Sequence, residues 1–500
     1  MGFDGASDSA LVNALVSGGD DRIVRDPVTG MNRYGTPVLP DPKAVWMSSS
    51  TASALTPGGH RAAEAALVAL NAEARSPAAW FDNIRGRLLR TFGIAGAEAV
   101  LCASGTEAEF LALHAARAIL GPYLRNIVIA PKETGSGVLN AAAGQHFSAT
   151  CVRGDRVAKG EMVDGFDSGP AEVCSVSLRD AFGGVRADGD LDAELEVLCA
   201  DADADGRAIL LHALDSSKTG LCGPRRETLA RLKAIHADRL LVVVDACQLR
   251  CTPETVKGHL ALGHFVMISG SKFASGPPFC GALLVPPAHV PALRRVRLPH
   301  GLGAYTTTQD WPNAMRASLS RLQCADYNLG LGLRWEAALH EIEAFYALPK
   351  GLRHDVTAAF GAAVTAEVTG HAELRLINDA RRHDLPERTI FPIVTGDGTA
   401  ARAPVLGARL RQAMPGHPGR YYLGQPVEVG AVSALRVCAG MPLITDLCVT
   451  VLRGESLHGA VMPIRQSLAQ LFAKLAVLDA ELASSTPAVA PAQPSHRKTG

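Results

Sequence analysis

The sequence predicts an α/β protein: a mostly parallel, seven-stranded sheet with helices on both faces, followed by a smaller C-terminal α/β domain. Three observations carry that prediction. Between about residues 95 and 285, short apolar runs alternate with helix-forming stretches. Most of the runs end at Gly, Ser, Asp or Pro, as strands buried on both faces do. At 500 residues the chain also exceeds what one core usually fills.

In chain order, residues 1–75 form an N-terminal arm and helix, with HRAAEAALVAL helical by propensity. A second helix covers Phe81 to Phe92 and stops at Gly93. The large domain spans residues 76–310. Its strands are Ala99–Cys102, Asn126–Ala130, Ala149–Val152, Ala208–Leu214, Leu240–Val244, Phe265–Ser269 and Ala282–Val285. The small domain spans residues 311–483 and opens on a long helix from about Asn313 to Tyr346. Strands follow at Glu373–Ile377, Thr389–Val394 and Ala434–Val437, with helices near Ala401–Gln412 and Ile464–Leu482. The tail, residues 484–500, is Pro/Ala/Ser-rich and reads as disordered.

Composition narrows the function. The 49 basic residues balance the 49 acidic ones, which gives no electrostatic footprint for nucleic acid or an anionic membrane. No uncharged apolar run is long enough to span a bilayer, and no signal-peptide pattern opens the chain, so it reads as cytoplasmic. The eleven cysteines are scattered, without the spacing of a zinc site or a disulfide framework, so no metal is expected. No GxGxxG or GxxxxGK[ST] string follows a strand. A small molecule is the natural partner.

Three segments carry chemistry. In LLVVVDACQ, Asp245 follows five apolar residues, at the strand end where open α/β sheets bind ligands. Alone it could equally cap the next helix. In FVMISGSKFASGPPFCGALLV, Lys272 leaves another strand amid apolar and Gly-rich residues, poor company for a solvated charge but suitable for a nucleophilic amine. In LCASGTEAEFLALHAA, a strand runs into Ser104-Gly105-Thr106 and a helix, whose free N–H groups can bind phosphate. That turn by itself could be a plain N-cap.

Taken together, the three segments resemble the fold-type I enzymes that depend on pyridoxal 5'-phosphate (PLP), specifically the class V aminotransferase and cysteine desulfurase group. LLHALDSSKTGLCGP and ALRVCAGMPLITD are similar to two further stretches of that group, and the resemblance covers about residues 45–480. It implies that Lys272 carries PLP as a Schiff base and serves as general base. Asp245 would pair with the pyridine nitrogen, and Gln248 would contact the phenolic oxygen. Gly105, Thr106, Ser269 and Ser271 would hold the phosphate. Arg436 would clamp a substrate carboxylate. His212 and Asp215 would lie near the cofactor, and Thr134 stands where the group has a ring-stacking histidine. A homodimer with shared active sites is implied, with Thr307 and Thr308 of GLGAYTTTQDW as candidates to reach the neighbouring subunit's phosphate.

The resemblance points first to an aminotransferase acting on an amino acid or related amine that bears a carboxylate. A PLP-dependent lyase, desulfurase- or kynureninase-like, is the alternative, and a catalytically inactive PLP-fold binding protein is another. The desulfurase version lacks its nucleophile, since no cysteine occurs between Cys324 and Cys438.

Overall fold

The computed structural model describes residues 5–167, 169, 171–377 and 388–485. Among these, the strands in chain order are β1 (Ala44–Met47), β2 (Glu98–Cys102), β3 (Leu124–Ile129), β4 (Glu172–Val176), β5 (Ala208–Leu214) and β6 (Leu240–Ala246). They continue with β7 (Phe265–Ser269), β8 (Gly281–Val285), β9 (Leu374–Leu376), β10 (Ile390–Thr395), β11 (Arg420–Val429) and β12 (Val432–Cys438). Strands β2 to β8 make one seven-stranded sheet, ordered β2-β8-β7-β6-β5-β3-β4. Every pairing in it is parallel except those of β8, which runs antiparallel to β2 and β7. The carboxyl ends of β6 and β7 therefore open on one edge of the sheet, together with the end of β2 and the start of β8.

Six of the seven expected strands are in place. The exception is Ala149–Val152, which makes only an isolated bridge from Thr150 to Arg156. Its Cys151 and Val152 side chains are buried in a cluster with Phe110 and Phe147 instead of in the sheet, while Ala149 is exposed. The missing strand is β4, at the sheet edge beside β3. An edge strand buries less of itself, so EVCSV shows no continuous apolar run. The long helix expected over Asn313–Tyr346 is also divided, into a 3-10 segment Asn313–Leu319 and a helix Leu329–Tyr346. Asn328 starts the latter by accepting the Leu331 N–H at 2.9 Å.

The second sheet is ordered β1-β11-β12-β10-β9, so the N-terminal segment contributes a strand to it, parallel to β11. Strands β1 and β11 were not expected. Of the expected tail, residues 484–485 instead close the helix Leu457–Ser485, and residues 486–500 lie outside the described residues.

Helix Leu329–Tyr346 is buried along most of its length. Its Arg334 is fully buried, with every hydrogen bond going to a backbone carbonyl: Phe279 at 2.7 Å, Leu15 at 2.8 Å, Ser17 at 2.6 Å and Gly18 at 2.9 Å. One side chain thus ties the N-terminal arm to the loop that carries Lys272. A buried guanidinium is tolerable when its donors are filled in this way.

Candidate functional site

The loop after β7 is forced into a tight path. The Gly270 N–H donates to the Cys280 carbonyl at 2.7 Å, and a Cβ at Gly270 would stand 2.6 Å from the Ala338 Cβ. Lys272 leaves this loop half-buried and lines a cavity of about 700 Å³ at the strand ends. Asp245 reaches the same cavity from the end of β6, with its carboxylate accepting the Cys247 N–H at 3.0 Å. Gly105 and Thr106 enter at the N-terminus of the helix Gly105–Leu120, where first-turn N–H groups have no helical acceptor. Gly105 is needed there, because a Cβ would meet Cys247 Sγ at 2.4 Å. Ser269 and Ser271 complete that end, their hydroxyls 2.7 Å apart.

Gln248 also lines the cavity, and its side-chain oxygen accepts from Arg250 Nη1 at 3.0 Å. Because a guanidinium only donates, that bond orients the amide and leaves Nε2 for the cavity. Arg250 itself is anchored by Thr389 and Ser49.

Arg436 arrives from β12 of the other sheet and is 1% exposed. The pairing of β11 with β12 shifts register between Gly424 and Val427. This bulge turns the Gln425 carbonyl onto Arg436 Nε, while Arg436 Nη1 donates to the Lys218 carbonyl at 3.1 Å. Among the described residues no carboxylate lies within ion-pair distance of this guanidinium, and burial lowers its proton affinity. The Nη2 edge remains for a ligand.

The structure therefore brings Gly105, Thr106, Thr134, Asp245, Gln248, Ser269, Ser271, Lys272 and Arg436 into one cavity wall. Thr134 donates its hydroxyl to the Pro131 carbonyl at 3.1 Å. His212, Asp215, Thr307 and Thr308 are not part of that wall. His212 lies one layer below, in mid-β5, with Nδ1 3.1 Å from Glu109 Oε2 but neither atom oriented for a hydrogen bond. Burial pushes the imidazole down to about 3, so it is neutral. The Glu109 carboxyl is pushed well up by burial and then by Asp245. The Asp215 N–H donates to the Asp245 carbonyl at 3.0 Å, while its side chain faces a separate recess with Cys222 and Thr255. Thr307 and Thr308 begin a short 3-10 turn, where the Thr307 N–H donates to buried Asp310 at 2.6 Å.

Among the wall residues that the sequence reading did not single out are Glu109 and Lys218. Glu109 follows the Ser-Gly-Thr turn by one helical turn, so period alone places it on the cavity side. Lys218 carries no such local signal, since its position depends on how its loop packs. Cys247 lines the cavity too, but burial and then Asp245 push its thiol well up, which makes it a poor nucleophile.

No family model matches the chain, and no curated protein matches it. Solved structures do. An alanine–glyoxylate aminotransferase from Nostoc sp. superposes with a TM-score of 0.52 at 14% identity, covering 87% of this chain and 96% of that one. The Oryza sativa TDC with PLP and tryptamine gives a TM-score of 0.51 at 15% identity, over 88% and 84% of the two chains. The glutamate decarboxylase domain of a diaminobutyrate–pyruvate transaminase and L-2,4-diaminobutyrate decarboxylase from Vibrio parahaemolyticus gives 0.50 at 15%, over 88% and 81%. The fold is that of the fold-type I PLP-dependent enzymes. Identities this low establish the architecture and leave the reaction to the site. Among the described residues no helix is long and apolar enough to cross a membrane.

Proposed function

We propose that the protein is a PLP-dependent enzyme acting on an amino acid or related amine that bears a carboxylate, most simply an aminotransferase. The carrying observation is the convergence of Lys272, Asp245, the helix start at Gly105 and Arg436 on one cavity. The donor set suits a molecule with an anion, a basic ring nitrogen and an electrophilic carbon. Gly105, Thr106, Ser269 and Ser271 would take the anion, Asp245 the nitrogen, and the Lys272 amine the carbon.

Bound there, PLP supplies a ring that withdraws electrons from the substrate's Cα. The chain's own groups do the rest. The Asp245 carboxylate would hold a proton on the ring nitrogen. Gln248, whose side-chain oxygen is held by Arg250, would offer Nε2 to the phenolic oxygen. Lys272 Nζ receives the proton that leaves Cα. Arg436 presents Nη2 to the substrate carboxylate and so fixes which Cα bond faces the lysine. A homodimer, with Thr307 and Thr308 directed at the partner's phosphate, and the division into large and small domains belong to the same proposal.

Absorbance provides the test. Purified protein given PLP should show a visible band that Lys272→Ala abolishes. Incubation with amino acids should then convert the cofactor to its amine form. Release of ammonia, alanine or sulfide would instead place the enzyme among the lyases. A colourless protein would overturn the whole proposal.

A further inference from the structure

The cavity holds a second lysine, on the loop between β5 and the helix Arg226–His236. Its backbone is clamped from several sides. The Lys218 N–H donates to the Glu133 carbonyl at 2.9 Å. On either side of it, the Ser217 and Thr219 hydroxyls donate to the Glu133 carboxylate at 2.7 and 2.5 Å. Arg179 donates to that carboxylate at 2.7 Å and to Thr219 at 2.8 Å. Glu133 is thus filled by Arg179, Ser217 and Thr219, which leaves it no close pairing with the Lys218 amine. Among the described residues no carboxylate stands within ion-pair distance of that amine.

Lys218 is also joined to Arg436, whose guanidinium donates to the Lys218 carbonyl. Besides Lys272, two cations therefore share one cavity wall, and neither has an acidic partner within ion-pair distance. The other basic residues of the wall differ. Arg22 pairs with Asp20 and Arg33 with Asp21, while Lys159 is exposed to water. Lys218 further lines the wider groove outside the cavity, so it stands at the passage between the two. Burial, then Arg436 and Lys272, bring its amine down to about 8 against a smaller opposing pull from Glu133, which leaves it charged at neutral pH. Like charges held together out of bulk water are unfavourable unless something negative compensates both.

We propose that the substrate carries two anionic groups, with Arg436 receiving the carboxylate at the reacting end and Lys218 receiving a second one directed toward the outer groove. This rests on the PLP-enzyme reading of the same cavity. The second group is a carboxylate or a phosphonate-like anion, since a lysine ammonium serves either as a point charge.

Calorimetry on the PLP-loaded protein tests it, with propionate, succinate and 3-phosphonopropionate as probes. At least one of the two dianions should bind ten times or more tighter than propionate, and whichever is tighter names the second group. Lys218→Met should bring both dianions to within threefold of propionate, whereas Lys218→Arg should keep most of the preference. Arg436→Met should weaken all three probes, which separates the two subsites. An unaltered dianion preference in Lys218→Met, or no such preference in the original protein, would overturn the inference. If both proteins show the visible band, that failure belongs to Lys218 alone. If neither takes up PLP, the functional reading fails, and the same titrations on cofactor-free protein still decide the role of Lys218.

Discussion

Lys218→Met should make the cofactor-free protein more stable at neutral pH. The amine is displaced from 10.5 to about 8. At about 1.4 kcal/mol for each tenfold change in proton affinity, that displacement represents roughly 3 kcal/mol of strain on the charged form. Methionine keeps the aliphatic stem and removes the charge. With an unfolding entropy of about 2 cal/mol/K per residue, a chain of this length gains about 3 °C in Tm from such a change. The sign follows from linkage. A lysine with a depressed folded-state pKa is penalised in full below about pH 8, and the penalty fades as pH rises toward 10.5. Scanning calorimetry at half-unit steps from pH 6.5 to 10.5 should therefore show the variant ahead at pH 7 and level with the original at the top of the range. Saturating succinate should narrow the gap at pH 7 by giving the original amine a partner. A variant less stable at pH 7, or a gap that does not change with pH, would show that Lys218 already has an anionic partner and would refute the reasoning.

Three further outcomes follow from the geometry. Gly105→Ala places a methyl 2.4 Å from Cys247 Sγ, so the helix start must move, and PLP affinity should fall tenfold or more; adding Cys247→Ala should restore most of it, as equilibrium dialysis would show. Arg436→Met should cost an amino acid substrate about 2–5 kcal/mol in kcat/KM while largely sparing the matching amine without a carboxylate; equal losses on both would assign the arginine a structural task. Burial raises the Asp310 carboxyl to about 7, so its charge penalty grows from about pH 4 and is complete above 7; Asp310→Asn should raise Tm at pH 8 and lose that advantage by pH 4.

Much of the site was legible because it is built from strand ends. A strand buried on both faces announces itself as an apolar run, and the polar residue that ends it must lie at the sheet edge. Asp245, Ser269 and the Ser104-Gly105-Thr106 turn are of that kind, and Lys272 follows within three residues. The edge strand β4 was not legible, because EVCSV needs only partial burial, and the apolar stretch Ala149–Val152 took its place in the reading. The break before Leu329 rested on the Asn328 cap, a single-residue signal within a run of otherwise helix-compatible residues.

The sequence by itself determined the central strands of the large sheet and the places of Asp245 and Lys272 at their ends, because each depends on residues close together in the chain. Tertiary structure decided what surrounds that pair. Arg436 reaches the cavity because a bulge in β11 offers it a carbonyl. Lys218 faces the same space because Glu133, 85 residues earlier in the chain, grips the hydroxyls on either side of it. Thr307 and Thr308 are held away from this cavity by their own turn. Such contacts join distant segments, and no local spacing encodes which distant carbonyl or carboxylate a side chain will meet.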